Sequence, residues 1–189
     1  MHCMNPLPEP GPPRVFFALW PTAPERDQLA AWLAPLQGVY GGRAMRPGTL
    51  HNTLVFVGSI ATERLEQLQQ AARQVNGSAF ELCFDEARYW GHNRIVYAAP
   101  SQVPRRLLNL ADALQRQLRR AGFEFDERAY QAHVTLLRNA RRSEAPLSQL
   151  APVSWQIGEF VLVQSELSGS GANYRVLARF PLKPAATAT

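Results

Sequence analysis

The stretch LHNTLVFVG, residues 50–58, shares its central pattern His-x-Thr-Leu with the stretch AHVTLLR, residues 132–138. Both stretches are apolar and rich in β-branched residues, which is typical of strands. A strand directs alternate side chains to one face, so the His and the Thr of each motif project from the same surface. Two such strands facing each other would place two imidazoles and two hydroxyls around one cavity.

The four polar residues of these motifs, His51, Thr53, His133 and Thr135, are candidates for catalysis. Two histidines can divide the work of general acid and general base, while hydroxyls can hold the oxygens of a phosphoryl group. A single His-x-Thr on a strand usually has no catalytic role. The two copies lie 82 residues apart, and this spacing leaves room for one supersecondary unit per copy, as an internal duplication would. The repeat therefore predicts an enzyme.

Length and composition predict a globular protein with a sizeable core. The chain has 189 residues, 46% of them hydrophobic and 19% charged, which fits a packed domain better than a disordered chain. No apolar run approaches the roughly 20 residues that cross a bilayer. The N-terminal segment has no apolar core of the kind found in signal peptides. We therefore expect a cytoplasmic protein without membrane contact.

The ends of the chain differ in composition from the rest. Residues 1–13 contain five prolines and are expected to form a flexible extension, and residues 183–189 a flexible tail. Residues 14–182 then form the bilobal domain. The two cysteines, Cys3 and Cys83, provide neither a disulfide framework nor the spacing of a structural zinc site. We expect no metal and no other cofactor.

The charge of the chain is compatible with an anionic partner. The net charge is +5, and a single lysine, Lys183, stands among the 20 basic residues. A guanidinium group matches the geometry of phosphate oxygens, so an excess of arginine favours phosphate-bearing ligands. GC-rich codon usage would produce the same excess. The charge therefore fits RNA as a partner without establishing it.

Hydrophobic periodicity gives a similar order of elements around each motif: strand, helix, His-x-Thr strand. The expected strands are 14–20, the first motif up to residue 58, 79–89, 94–99, the second motif, 155–167 and 174–182; the expected helices are 22–36, 61–75 and 103–121. Each half alone has too few strands to cover its helices. We therefore predict an α+β fold with two pseudo-symmetric lobes of antiparallel sheet, helices on the outer faces and an active-site cleft between the lobes.

The motifs and their flanking blocks resemble the two-histidine phosphoesterase superfamily, and within it the bacterial RNA 2′,3′-cyclic phosphodiesterase group, which is 2′-5′ RNA ligase-like. The matching blocks are RVFFALWP, LHNTLVFVG, AHVTLLR and SELSGSGANYRVLARFPL. Two positions depart from the usual pattern. Asn52 stands in place of an apolar residue, and Gln131-Ala132 precedes the second histidine where the family has proline. Neither departure removes a catalytic group, and we expect Asn52 to point away from the cleft.

The resemblance implies metal-free hydrolysis of an RNA terminal 2′,3′-cyclic phosphate to a 2′-phosphate. It implies His133 as base, His51 as acid, and Thr53 and Thr135 on the non-bridging phosphate oxygens. Ligation to a 2′-5′ linkage is the reverse of the same chemistry and needs no extra residues. The expected partners are RNA ends or small cyclic nucleotides, and we expect a monomer with no obligate protein partner.

Other residues are candidates for holding the substrate. Arg138 and Arg46 could supply positive charge to the phosphate, and Tyr130 could stack on a base. Tyr89, Trp90 and His92 are further conceivable platforms, although aromatic residues in strands more often belong to the core. The arginines within 138–142 and 105–106 could contact the RNA backbone, although solvated surface charge is the commoner explanation.

Two alternatives to the phosphodiesterase hypothesis remain open. A zinc site could be built from His51, His92 and His133, but no His-x-x-x-His or carboxylate-flanked spacing supports it. The cleft could also belong to a non-catalytic module that binds RNA ends. Intact His and Thr in both motifs favour an enzyme over such a module, because binding alone does not require an acid and a base.

Overall fold

The computed structural model describes residues 11–145, 149–168 and 171–185. Most of the expected extension, the end of the expected tail and part of the expected loop 169–171 lie outside the described residues. The described strands are β1 (Arg14–Leu19), β2 (Arg43–Ala44), β3 (Asn52–Ser59), β4 (Phe80–Phe84), β5 (Glu86–Trp90), β6 (Ile95–Ala99), β7 (Val134–Arg138), β8 (Val153–Ile157), β9 (Glu159–Ser168) and β10 (Gly171–Pro181). The described helices are α1 (Ala23–Ala30), α2 (Leu33–Tyr40), α3 (Leu65–Arg73) and α4 (Arg105–Arg120), with 3-10 turns at Pro47–Thr49 and Thr62–Arg64.

The strands form two four-stranded antiparallel sheets, in the orders β10-β9-β1-β3 and β2-β7-β6-β5. Each sheet contains one of the two motif strands, β3 or β7. The predicted α+β fold with two antiparallel sheets and helices is confirmed. A further antiparallel pair, β4 with β8, was not predicted.

Strand β1 shows how the first sheet separates the core from the cleft. Val15, Phe17 and Leu19 belong to the main hydrophobic core. The alternate residues Phe16 and Ala18 belong to a separate small cluster on the other face. Because side chains alternate along a strand, one face of the sheet packs on the core and the other can line a site.

The longest helix, α4, follows the predicted apolar stripe. Its buried residues are Leu107, Leu110, Ala111, Leu114 and Leu118, which recur at the spacing of one helical face. The helix starts after Pro104 and stops before Gly122, whose φ of +71° is a conformation that glycine adopts without strain. No helix in the described part of the chain is long and apolar enough to span a bilayer.

Three predicted elements are each divided in two. The helix expected over 22–36 is broken at Ala31-Trp32, because Pro35 lacks an N–H and its ring clashes with the carbonyl one turn earlier. The strand expected over 79–89 is broken at Asp85, whose carboxylate accepts hydrogen bonds from the backbone N–H and the hydroxyl of Ser101. The strand expected over 155–167 is broken at Gly158.

Candidate active site

A cavity of about 350 Å³ contains both His-x-Thr motifs. Its walls come from strands of both four-stranded sheets and from the segments that precede the motif strands. The lining residues are Arg14, Phe16, Met45, Thr49, His51, Thr53, Phe56, His133, Thr135, Arg138, Ser165 and Tyr174. The four predicted motif residues and Arg138 therefore lie around one cavity, while Arg46 and Tyr130 are absent from its walls.

The backbone next to β3 fixes the orientation of His51. Its Nδ1 lies 2.7 Å from the carbonyl oxygen of Thr49, and since a carbonyl only accepts, Nδ1 carries the proton and donates. In the neutral ring Nε2 is then the acceptor, and it lies 3.1 Å from the hydroxyl oxygen of Thr53. This arrangement leaves Nε2 as the nitrogen that can exchange a proton in the cavity.

Aromatic rings enclose His51. The Trp20 ring stacks on the imidazole at a centroid distance of 5.6 Å, and the rings of Phe16 and Tyr174 lie 4.9 Å and 5.1 Å away. Burial lowers the pKa of His51 to about 4, and the positive charge of Arg138 contributes in the same direction. His51 is therefore neutral at pH 7.

His133 has a similar but less enclosed environment. Its Nδ1 donates to the carbonyl oxygen of Gln131 at 2.8 Å. The rings of Trp90 and Tyr97 lie 4.9 Å and 5.7 Å from the imidazole. Burial, and to a smaller extent the charge of Arg138, lowers the pKa of His133 from its ordinary value. Both histidines thus present Nε2 in a cavity that disfavours positive charge on the rings.

Residues 25–169 match the 2′-5′ RNA ligase superfamily. The chain belongs to this superfamily. It is 33% identical over 173 residues to an RNA 2′,3′-cyclic phosphodiesterase of Escherichia coli, covering 90% of this chain and 97% of that protein. It is 27% identical over 176 residues to an RNA 2′,3′-cyclic phosphodiesterase of Archaeoglobus fulgidus, covering 88% of this chain and 99% of that protein.

Solved structures of the superfamily share the fold. The crystal structure of E. coli LigT complexed with 3′-AMP superposes with a TM-score of 0.82 at 31% identity, covering 90% of this chain and 98% of that chain. The apo form of E. coli LigT gives a TM-score of 0.81, covering 92% of this chain and 99% of that chain. The resemblance noted from the motifs is therefore confirmed over nearly the whole chain.

Arg46 and Tyr130, which were candidates for holding the substrate, have other contacts. Arg46 is exposed, and its Nη2 donates to Asn173 Oδ1 at 3.1 Å. Tyr130 packs against the main core, and burial raises the pKa of its hydroxyl. Tyr130 is thus corrected from a stacking surface to a support within the fold, because its ring and its hydroxyl are both engaged by the protein.

The other candidate platforms are also absent from the cavity walls. Tyr89 stacks on Tyr40 at a centroid distance of 6.1 Å, with both rings packed against the main core. Trp90 covers one edge of His133, and His92 lies beyond Trp90, with 6.2 Å between their ring centroids. The hypothesis of a three-histidine zinc site loses its third ligand, because His92 does not line the cavity.

Asn52, one of the two departures from the family pattern, connects the two motifs. It is fully buried, the single buried polar side chain in the described part of the chain. With its amide oriented to satisfy every neighbour, Nδ2 donates to Tyr130 Oη at 2.8 Å and to the Thr53 carbonyl at 3.2 Å. Its Oδ1 then accepts from the backbone N–H of His133 at 3.2 Å. Asn52 points away from the cavity, as expected, but it fixes the backbone that presents His133.

Replacing Asn52 by leucine is expected to lower the free energy of unfolding by about 1–3 kcal/mol, because the N–H of His133 and the hydroxyl of Tyr130 would lose a buried partner. The kcat should fall while KM changes little, since Asn52 itself does not line the cavity. Urea unfolding and steady-state kinetics measure both effects. Tyr130→Phe removes only one of the contacts and should have a smaller effect; an equal or larger effect would contradict this assignment.

Several cavity residues were not predicted from the sequence. Phe16, Tyr174, Arg14 and Ser165 line the cavity. A signal for two of them exists in RVFFALW, because Arg14 and Phe16 occupy alternate positions of one strand face. The run is apolar on both faces, so alternation did not distinguish the cleft face from the core face.

Proposed function

We propose that this chain hydrolyses the 2′,3′-cyclic phosphate at the end of an RNA to a 2′-phosphate. The observation that carries the proposal is the matched pair of imidazoles, each with Nδ1 on a backbone carbonyl and Nε2 available in one cavity. Membership of a superfamily that contains RNA 2′,3′-cyclic phosphodiesterases from E. coli and A. fulgidus supports the substrate class.

The reaction needs one base and one acid. Water attacks phosphorus and loses a proton to the neutral imidazole, the new P–O bond forms, the bond from phosphorus to the ribose 3′ oxygen breaks, and the protonated imidazole gives its proton to that oxygen. The hydroxyls of Thr53 and Thr135 and the guanidinium of Arg138 would hold the non-bridging oxygens, where negative charge increases in the transition state. The two imidazoles exchange protonation states in one turnover.

The assignment of His133 as base and His51 as acid stays a prediction, and it has a consequence for the pKa values. His51 has a pKa of about 4, so it can act as an acid near neutrality only if a bound phosphate raises that value. An anion within a few ångströms of an imidazole favours its charged form. Substrate binding near neutral pH should therefore be coupled to the uptake of a proton.

The first test is the position of the phosphate in the product. The protein is incubated in EDTA with a short RNA ending in a 2′,3′-cyclic phosphate, and the product is identified by its migration and by its resistance to enzymes that remove 3′-phosphates only. We expect a 2′-phosphate formed at an undiminished rate in EDTA. Binding of the RNA end without turnover would contradict the proposal and favour the non-catalytic RNA-end-binding module.

The pH dependence of kcat/KM is expected to peak on the acidic side, between about 4 and 6.5. The free enzyme must hold one proton on the histidine pair, and both pKa values are lowered, so this proton is lost as the pH rises above the lowered pKa of His133. The kcat, which reports the bound complex, should peak at a higher pH. Both profiles are measured with an RNA dinucleotide that ends in a 2′,3′-cyclic phosphate. A kcat/KM maximum above pH 7 would contradict the lowered pKa values of the two histidines.

A further inference from the structure

A second pocket, of about 690 Å³, lies beyond the end of β7 that is remote from His133. We propose that it binds the phosphodiester backbone of an RNA strand whose 3′ end occupies the candidate active site. Arg94, Arg141 and Arg142 line this pocket, together with Tyr40, and no acidic side chain stands among the described residues of its walls. The inference rests on the proposed function and narrows its substrate to an oligonucleotide rather than a small cyclic nucleotide.

The arginines of this pocket have no close carboxylate partners among the described residues. Carboxylates lie within 3.5 Å of eight arginines elsewhere: Arg26, Arg73, Arg88, Arg116, Arg119, Arg128, Arg175 and Arg179. Within the described ranges Arg94 and Arg141 have no carboxylate partner, and Arg142 has one at 3.9 Å, Glu144, with both side chains more than 80% exposed. The positive charge of this pocket is therefore largely uncompensated by close carboxylates.

Sheet register brings two more arginines to the same end of the sheet. Arg43 on β2 stands directly opposite Arg138 on β7, and Arg138 is paired on its other side with Ile95, which follows Arg94. Like charges directly opposite each other destabilise a sheet unless an anion lies between them. Arg138 also lines the active-site cavity, and the next residue in the chain, Asn139, lines the second pocket, so the two sites adjoin at the end of β7.

Two non-glycine residues of this pocket have left-handed backbone conformations. Arg94 and Asn139 have φ values of +52° and +56°, in the left-handed region. Gly42 has a φ of +78°, and a Cβ there would lie 2.6 Å from the carbonyl oxygen of Arg138. The two backbone segments can therefore approach this closely only because residue 42 has no side chain. The Ala140 N–H donates to the Arg94 carbonyl at 2.9 Å and ties the two strained segments together. The fold thus maintains strained backbone where the arginines converge.

The distance from the reacting end suits a strand of several nucleotides. Asn139 follows Thr135 by four residues, which corresponds to about 13 Å along a strand. A phosphate in the second pocket would therefore belong to a nucleotide a few positions from the cyclic end. Proteins that hold single strands track the backbone with a positively charged groove, and the arginines of this pocket supply such charge.

The test compares substrates of increasing length. The kcat/KM is measured for RNAs ending in a 2′,3′-cyclic phosphate, from the cyclic mononucleotide to about six nucleotides, the scale of a single-strand site. For the unaltered protein we expect a rise of about tenfold or more with length. The Arg141→Gln/Arg142→Gln variant should lose this rise while it hydrolyses the mononucleotide normally. For the longest RNA, the slope of log kcat/KM against log salt concentration should be shallower by about 1.4 in this variant, because two phosphate contacts at roughly 0.7 each are lost.

A matched variant controls for net charge. Arg119→Gln/Arg120→Gln removes the same charge from neighbouring arginines in the last turn of α4 and should keep the rise with length. A kcat/KM that does not depend on length, or a control variant that loses the rise equally, would overturn the inference and leave the proposed function standing. Failure to hydrolyse any substrate, the mononucleotide included, would overturn the proposed function itself.

Discussion

Alanine at either His51 or His133 is expected to lower kcat by about 10²- to 10⁴-fold, the contribution of one positioned acid or base. Each imidazole has its Nδ1 proton fixed on a backbone carbonyl and Nε2 in the shared cavity. No other histidine and no carboxylate stands among the described residues of the cavity walls, so neither loss can be replaced locally. Single-turnover rates with an RNA 2′,3′-cyclic phosphate measure the effect on chemistry apart from product release.

The double variant tests whether the two histidines act as a unit. Acid and base serve the same step, so the loss in the double variant should be close to the larger single loss rather than the product of the two. His92→Ala is the matched control, because this histidine does not line the cavity and its replacement should leave kcat unchanged. A loss in the His92 variant as large as in the others would instead support the three-histidine zinc site.

The sequence was sufficient to predict the pairing of the motifs because a strand has a period of two. Once His51 and Thr53 were assigned to one strand, and His133 and Thr135 to another, their shared face followed from backbone geometry alone. The structure brings all four to one cavity. Arg138 lies three residues past Thr135, so it was a candidate for its charge and its place in the AHVTLLR block and not through strand alternation.

Contacts between distant segments could not be predicted in the same way. The contact of Asn52 with Tyr130 and with the backbone of His133 joins residues about 80 positions apart, and no local pattern specifies such a pairing. Asn52 was therefore expected to affect local packing more than chemistry, whereas the structure gives it three hydrogen-bond partners. The enclosure of His51 by Trp20 and Tyr174 likewise depends on the order of strands within a sheet.

Local chemistry overrode periodicity at the broken elements. The apolar spacing of Leu29, Leu33 and Leu36 fits one helix, but Pro35 cannot be accommodated within it and the chain forms two. Asp85 stands within a strand-like run, and its hydrogen bonds to Ser101 turn the chain from one sheet into another. The proline was visible in the sequence, but the partner of the aspartate was not.

Valine at Thr53 or Thr135 is expected to lower kcat by about 10²- to 10³-fold, which is the usual cost of removing one donor from the site where charge develops. Valine keeps the shape of threonine and removes the hydroxyl, so the fold should be retained. KM should change less than kcat, because these hydrogen bonds strengthen as the non-bridging oxygens gain charge. Steady-state kinetics on a cyclic mononucleotide separate the two parameters without involving the arginines of the second pocket.

The two threonine variants should differ in one respect. The Thr53 hydroxyl lies 3.1 Å from His51 Nε2 and donates to it, so this hydroxyl must turn to the phosphate when the substrate binds. Thr53→Val should therefore also shift the acidic limb of the kcat/KM profile, whereas Thr135→Val should only lower its height. Thr53→Ser and Thr135→Ser restore the hydroxyl and should return kcat to within about tenfold of the original value. Serine variants as inactive as the valine variants would show that the methyl group, and not the hydroxyl, is what the reaction requires.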